Sequence, residues 1–515
     1  VNSEAHQQVA LQASREGLVL LKNANNLLPL DKSQIKRIAV CGPNADEASF
    51  ALTHYGPVAV EVTTVLEGIK QQVKEGTKVT YTKGCDLVDT NWPESEIISY
   101  PLTAEEKTEI QKAVDNVKES DVAVVVLGGG IRTCGENKSR TSLDLPGHQQ
   151  QLLEAIVATG KPVVLVLING RPLSINWADK FVPAILEAWY PGSQGGTAIA
   201  EALFGDYNPG GKLTVTFPKT VGQIPFNFPA KPASQVDGGQ TPGMKGNQSR
   251  INGPLYPFGY GLSYTTFEYS NLQLSSPVIT DKEPVTVTCK IKNTGTRSGD
   301  EVVQLYTRDV ISSVTTYEKN LRGFERVHLE PGETKEVSFQ LLPRDFQLLN
   351  KDNHWVVEPG MFQIMIGASS EDIRLKKGLE IRAYGQASAN EIIESDPRDF
   401  ISASKNKSHI IHVVDGDYST TWKGEKGEYI SFELAENAKV DRINVAWKNA
   451  EAGTHYEIQI SSGGGQFLPV QRGEVTPNQE ETIRFNKTGG SDLRILITNG
   501  SAEIAEIKLP ELRKE

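Results

Sequence analysis

Asp121-Val122-Ala123-Val124-Val125-Val126-Leu127 is apolar after its first residue, rich in valine, and flanked by polar residues. Such a run has no face to show water, so it predicts a strand of a parallel sheet covered on both sides. Upstream, Arg37-Ile38-Ala39-Val40-Cys41-Gly42-Pro43 reads as a second buried strand ended by a Gly-Pro turn. Downstream, residues 162–168 and 184–188 read the same way. Helices fall between them. Residues 103–118 start with Thr103 and Glu106 in the spacing of a capping box, in which hydroxyl and carboxylate each satisfy an orphan backbone donor. Leu145-Pro146-Gly147 opens a helix to about residue 158, with proline where its missing N–H costs least. Residues 194–204 form another. Strand and helix alternating over residues 30–215 predict a doubly wound α/β sandwich with a mostly parallel sheet and right-handed crossovers.

Residues 2–23 read as one amphipathic helix, with Val9, Ala13 and Leu20 near one face. From 218 to 255 the periodicity vanishes into Gly, Pro, Gln and Asn, most densely over 238–253. A stretch of that length is a binding loop or a linker. After Tyr264 the pattern is all-β: residues 285–292, 301–307, 334–340 and 361–366 alternate or run apolar, separated by turns such as Glu330-Pro331-Gly332-Glu333. That predicts a β-sandwich, a polar linker at 385–398, and a second β-sandwich beyond. The expected layout is a linking helix at 1–30, the α/β domain at 31–222, a long connection at 223–264, and β domains at 265–384 and 399–515.

The 515 residues are 38% hydrophobic and 23% charged with net charge -11, a globular composition with no basic tract to attract nucleic acid or an anionic membrane. No apolar run is long enough to span a bilayer, and the opening residues do not read as a signal peptide. Cys41, Cys85, Cys134 and Cys289 lack CxxC spacing, so a zinc site is not expected; a disulfide among them is left open.

Two features carry candidate chemistry. Gly128-Gly129-Gly130 follows a strand, but Thr133 breaks the GxGxxG spacing, so the glycines turn a loop rather than cradle a dinucleotide. A nucleotide-binding protein is excluded with it. The other is Glu136, in Cys134-Gly135-Glu136-Asn137-Lys138-Ser139-Arg140-Thr141-Ser142-Leu143-Asp144-Leu145-Pro146-Gly147. A glutamate on a loop is by default solvated and idle. This loop leaves the carboxyl end of a parallel strand, where open α/β sheets present ligand-binding groups. Arg140 stands four residues on, to fix the loop or a sugar hydroxyl.

That segment resembles the acid/base loop of glycoside hydrolase family 3. The resemblance extends through Asn169-Gly170-Arg171-Pro172-Leu173, Ala188-Trp189-Tyr190-Pro191-Gly192, Phe204-Gly205-Asp206-Tyr207-Asn208-Pro209-Gly210-Gly211-Lys212-Leu213 and Leu255-Tyr256-Pro257-Phe258-Gly259-Tyr260-Gly261-Leu262-Ser263-Tyr264. Most of these residues have structural roles to fill; Asn169, Gly170 and Arg171 suit strand-end geometry. Lys292-Asn293-Thr294-Gly295, Val302-Val303-Gln304-Leu305-Tyr306 and Leu321-Arg322-Gly323-Phe324 resemble the fibronectin type III-like domain found after it. Val414-Asp415-Gly416-Asp417-Tyr418-Ser419-Thr420-Thr421-Trp422 and Tyr429-Ile430-Ser431-Phe432-Glu433-Leu434 are similar to discoidin-type, galactose-binding-like sandwiches.

The resemblance implies an exo-acting, retaining β-glycosidase, β-glucosidase-like or β-xylosidase-like. An aspartate attacks the anomeric carbon, and Glu136 protonates the leaving oxygen and then activates water. In such a pair the carboxyls lie about 5 Å apart. The aspartate belongs to an N-terminal barrel domain with no counterpart here, so the chain alone is expected to be inactive, and a noncatalytic carbohydrate-binding fragment is the competing reading. Arg140, Arg250 and Asn252 are candidates for substrate contact, the last two on a loop expected to reach over the active site. No cofactor is required. Asp415, Asp417 and Trp422 offer either an accessory sugar or calcium site or, as the favoured reading, a capped turn and a buried anchor. An oligosaccharide or β-glycoside substrate, a secreted or periplasmic location and an open question of homodimerisation complete the expectations.

Overall fold

The computed structural model describes residues 3–52, 60–231, 251, 253–383, 401–405, 413–414, 418, 420–434, 439–461 and 467–509. The first sheet is built from β1 (Val19–Asn23), β2 (Arg37–Cys41), β3 (Lys78–Thr82), β4 (Val122–Gly128), β5 (Val163–Ile168) and β6 (Ala184–Glu187), in the spatial order β1-β6-β5-β4-β2-β3. All neighbours are parallel except the edge pair β1 and β6. The helices are α1 (Glu4–Gly17), α2 (Ala48–Ala51), α3 (Val65–Gln72), α4 (Ala104–Lys118), α5 (Gln149–Val157), α6 (Asn176–Phe181) and α7 (Gly195–Phe204).

β4 explains why its run is apolar throughout. Ala123, Val125 and Leu127 face a core shared with Ile110, Ala113, Val114 and Val117 of α4 and Leu152, Leu153 and Ile156 of α5. Val122, Val124 and Val126 face the opposite core, with Leu11 of α1, Val65, Leu66 and Ile69 of α3, and Ala198, Ile199 and Leu203 of α7. Successive side chains point to opposite faces, so a sheet clad on both sides admits no polar alternation. The chain runs from β2 to β3 on one side and then to β4 on the other. A topological switch point therefore lies between the carboxyl ends of β2 and β4, where such sheets bind ligands.

The single helix expected over 2–23 is corrected. Helix α1 ends at Gly17, and Val19–Asn23 is a strand antiparallel to β6. Val19, Leu20 and Leu21 are all buried, which one helical stripe cannot achieve, while Val9 is 70% exposed. The N-terminal segment is thus an edge of the α/β sheet rather than a separate linking helix.

Residues 267–382 form the next sandwich, from β7 (Phe267–Leu274), β8 (Val278–Thr280), β9 (Val285–Asn293), β10 (Gly299–Asp309), β11 (Asn320–Leu329), β12 (Thr334–Leu341), the short pair β13 (Leu348–Leu349) and β14 (Trp355–Val356), β15 (Gly360–Gly367) and β16 (Ile373–Arg382). Its sheets run β12-β9-β7 and β11-β10-β15-β16-β8. In β9 the inward residues alternate: Val285, Val287, Cys289, Ile291 and Asn293 are buried. Polar side chains join this sandwich to the α/β domain. Lys212 pairs with Glu301 at 3.0 Å, both nearly buried. Gln304 Nε2 donates to the carbonyls of Gly259 (3.0 Å) and Ala368 (2.8 Å).

Residues 401–509 carry β17 (Ile401–Ala403), β18 (Trp422–Glu425), β19 (Tyr429–Glu433), β20 (Lys439–Ala450), β21 (His455–Ser461), β22 (Phe467–Glu474), β23 (Gln479–Gly489), β24 (Asp492–Asn499) and β25 (Ser501–Lys508). They form two antiparallel sheets, β17-β19-β24-β21-β22 and β18-β25-β20-β23, around their own core of Trp422, Phe432, Trp447, Ile458, Ile495 and Ile504.

Candidate active site

The loop after β4 is built on short-range bonds. Thr133 Oγ1 accepts from the Gly130 amide at 3.0 Å, and the Thr133 and Cys134 amides both donate to the Gly130 carbonyl. Gly135 and Asn137 have positive φ (130° and 60°), so Glu136 stands at the tip between two residues in left-handed backbone. Its side chain is exposed. Asparagine is among the few non-glycine residues that adopt this conformation readily, which gives Asn137 a reason to follow the glutamate.

Side chains from neighbouring strand ends hold the loop in place. Arg171, beyond β5, donates through Nη2 to the carbonyls of Thr133 (2.9 Å) and Lys138 (3.1 Å), one on each side of Glu136. Asn44, beyond β2, donates to the Gly129 carbonyl at 2.8 Å. Below them Asn169 Nδ2 meets Glu187 Oε2 at 3.1 Å, and Glu187 Oε1 accepts from the Trp189 amide at 2.8 Å. Glu187 is wholly buried, and that burial pushes its carboxyl up to about 8. A neutral Glu187 carries a hydroxyl, and Asn169 Oδ1, otherwise without a partner, would accept it after a half-turn of the amide.

Arg140 is held by protein partners. Its Nε donates to Glu96, Nη2 donates to the Asp144 carbonyl at 3.0 Å, and the guanidinium lies over Trp92, 5.2 Å from the ring centroid. The Arg140 and Glu96 side chains are 3% and 6% exposed. The second oxygen of Glu96 accepts the Thr141 amide at 2.8 Å. Of the two roles weighed for Arg140, this geometry is loop fixing. A polar cavity of ≈180 Å³ lies alongside, bounded in part by Asp89, Trp92, Tyr100, Asp144 and His148. Glu96 had no signal in sequence, since it comes from the connection between β3 and α4, far from the loop it braces.

The other expected site residues divide. Arg250 and Asn252, with most of the 238–253 loop, lie outside the described residues, as do Asp415 and Asp417. The near end of that loop is fastened where Gln223 Nε2 donates to the carbonyls of Ile251 (3.4 Å) and Gly253 (3.0 Å). Trp422 has no exposed surface and donates through Nε1 to the Lys405 carbonyl at 3.0 Å, so it packs as an anchor. Among the described residues no group of three or more His, Cys, Asp or Glu side chains is arranged to hold a metal ion. All four cysteines are free thiols, and burial raises Cys41 and Cys85 to about 12. No helix among the described residues is long and apolar enough to cross a membrane.

Comparison with known proteins matches three parts of the chain to known domains. Residues 18–264 match the glycosyl hydrolase family 3 C-terminal domain, 301–370 the fibronectin type III-like domain, and 399–508 the F5/8 type C domain. A β-xylosidase of Formosa agariphila is 44% identical over 382 residues, covering 73% of this chain and 50% of that protein. A periplasmic β-glucosidase of Salmonella typhimurium is 40% identical over 389 residues, with the same coverages. The crystal structure of a Listeria innocua β-glucosidase in complex with isofagomine superposes with a TM-score of 0.64 at 32% identity, over 75% of this chain and 51% of that one. A β-glucosidase from Erythrobacter marinus gives a TM-score of 0.66 at 38% identity, over 74% and 51%. The chain spans about half the length of the curated relatives it matches. With an α/β sandwich of this family followed by fibronectin type III-like and F5/8 type C sandwiches, the chain belongs to glycoside hydrolase family 3.

Proposed function

We propose that Glu136 is the general acid/base of an exo-acting, retaining β-glycosidase, β-glucosidase-like in specificity, whose nucleophilic aspartate sits on a barrel domain outside these residues. The observation that carries this reading is the placement of Glu136: exposed, at the tip of a braced loop, at the carboxyl edge of a parallel sheet beside its switch point. In the first step Glu136 gives its proton to the departing glycosidic oxygen as the aspartate bonds to the anomeric carbon. In the second it takes a proton from water, which displaces the aspartate. No cofactor enters either step, and the 515-residue chain by itself lacks the nucleophile and turns nothing over. A β-xylosidase of the same family is the second reading, favoured by the relative of that name at 44% identity. A periplasmic location follows the Salmonella relative.

The test is E136Q in the full-length protein on an aryl β-glucoside. General acid/base catalysis contributes roughly a hundred- to ten-thousand-fold. The expected result is a loss of that size, partly restored by azide with a β-glycosyl azide as product. Unchanged turnover would return Glu136 to the status of an ordinary loop residue. Turnover by the isolated chain, abolished by E136Q, would refute the need for a barrel.

A further inference from the structure

We infer that Arg171 is the positioning residue of the acid/base loop, acting by clamping the two backbone carbonyls that flank Glu136; the inference rests on the assignment of Glu136 above. One guanidinium nitrogen reaches both the Thr133 carbonyl (2.9 Å) and the Lys138 carbonyl (3.1 Å), closing the loop at its neck. No carboxylate pairs with Arg171 among the described residues, so its charge is directed at carbonyl oxygens, and hydrogen bonds with a charged donor are the stronger kind. The neighbouring backbone is shaped to let the loop down onto it. A Cβ on Gly170 would lie 2.4 Å from the Tyr190 ring and 2.7 Å from Cys134 Sγ. Cys134 in turn sits on the Gly170 carbonyl at 3.8 Å. The residues on either side of Glu136 have positive φ, so the tip turns sharply above the clamp. The clamp thus adds a charged tether at the neck of the loop, beside the Arg140–Glu96 brace further along it.

A proton donor held out of line fails selectively. An aglycone that leaves as a stable anion needs no proton, whereas an alkyl or sugar leaving group does. Loss of positioning therefore shows as a loss of kcat/KM that grows with the pKa of the leaving group, while a general folding defect lowers all substrates alike. A misplacement of about 1 Å costs on the order of a hundredfold.

The experiment measures kcat/KM, which reports departure of the leaving oxygen, for a series from dinitrophenyl to alkyl β-glycosides. It compares full-length wild type, R171M, E136Q and E136Q/R171M. R171M is expected to retain the dinitrophenyl rate and to lose about 10- to 100-fold on alkyl substrates. The double variant is expected to lose nothing beyond E136Q, because a clamp has no effect once the acid is gone. A steep series for E136Q with a uniform loss for R171M, or a further loss in the double variant, overturns the clamp while leaving Glu136 in its role. A flat series for E136Q overturns the assignment of Glu136 and the clamp with it. Should R171M fail to fold, R171K, which keeps the charge but not the flat guanidinium, is read by the same criteria.

Discussion

At the scale of single residues, the most unusual group is Glu187, a carboxyl with no exposed surface at the end of β6. Burial is the first cause of its raised pKa, opposed by bonds from the Trp189 amide and Asn169. Unfolded, it ionises near 4.3; folded, it holds its proton to about 8. Between those values the folded state carries a proton the unfolded state has lost, so the group lowers stability as pH rises, by up to ~1.4 kcal/mol per unit. E187Q has no proton to lose. Its stability, measured by urea unfolding from pH 5 to 8, is expected to fall less steeply than that of wild type, and parallel curves would show that Glu187 is ionised in the folded protein. The signal was present in sequence: Glu187 is the one charged residue in Ala184-Ile185-Leu186-Glu187-Ala188. Pattern reading counts such a residue as a strand end, because the atoms that make it buried come from Asn169 and Trp189 rather than from its neighbours in the run. The position of Glu136 on a loop after β4 was legible for the opposite reason. Its loop is local, with Gly135 and Asn137 beside it supplying the backbone freedom.

Elements show a similar division between local and distant information. The segment between β3 and α4 acts on the Glu136 loop through the buried pair Glu96 and Arg140, with Thr141 bonded to Glu96 and Trp92 under the guanidinium. Burying two charges is repaid only when both partners are present, and removing one leaves the other stranded at about 3–5 kcal/mol. E96A and R140M are each expected to destabilise by that order, and E96A/R140M by clearly less than their sum, in a double-mutant cycle read by thermal unfolding. Additive losses would mean that the two side chains are solvated independently. α4 was legible because its capping box is written in four consecutive residues, and Thr103 and Glu106 make both bonds. α3 carries the same device in Thr64 and Glu67, but it is short and leads into β3, so no long apolar period marks it in the sequence. β3 is an edge strand of half-exposed residues without an apolar run. The boundary between α1 and β1 was misplaced because Leu20 continues a helical spacing by chance. Gly17 marked the stop, but only pairing with β6, far along the chain, makes 19–23 a strand.

At the scale of the whole molecule, changes of period revealed the α/β and β-sandwich parts, because a sheet clad on both faces and a sandwich differ in what each strand position must bury. The long-range bonds between parts left no such trace. Residues 401–509 have a complete core with Trp422 and Trp447 at its centre, so a fragment of residues 385–515 is expected to unfold cooperatively on its own. A broad, non-cooperative melt would show that the core needs the rest of the chain. The α/β and fibronectin type III-like sandwiches depend on each other instead. Gln304 bonds to the carbonyls of Gly259 and Ala368, and its Oε1 accepts the Tyr306 hydroxyl at 2.5 Å, so one amide ties three segments. Gly259 has φ 80°, and a Cβ there would lie 2.1 Å from Gln304 Oε1. G259A therefore strains its own backbone and displaces the amide, stranding buried carbonyls at a combined cost of roughly 2–4 kcal/mol. The expected result is a lower unfolding midpoint with the α/β core intact by circular dichroism. A midpoint equal to that of wild type would mean that Gln304 moves aside freely and that the Lys212–Glu301 pair, rather than this amide, joins the two sandwiches.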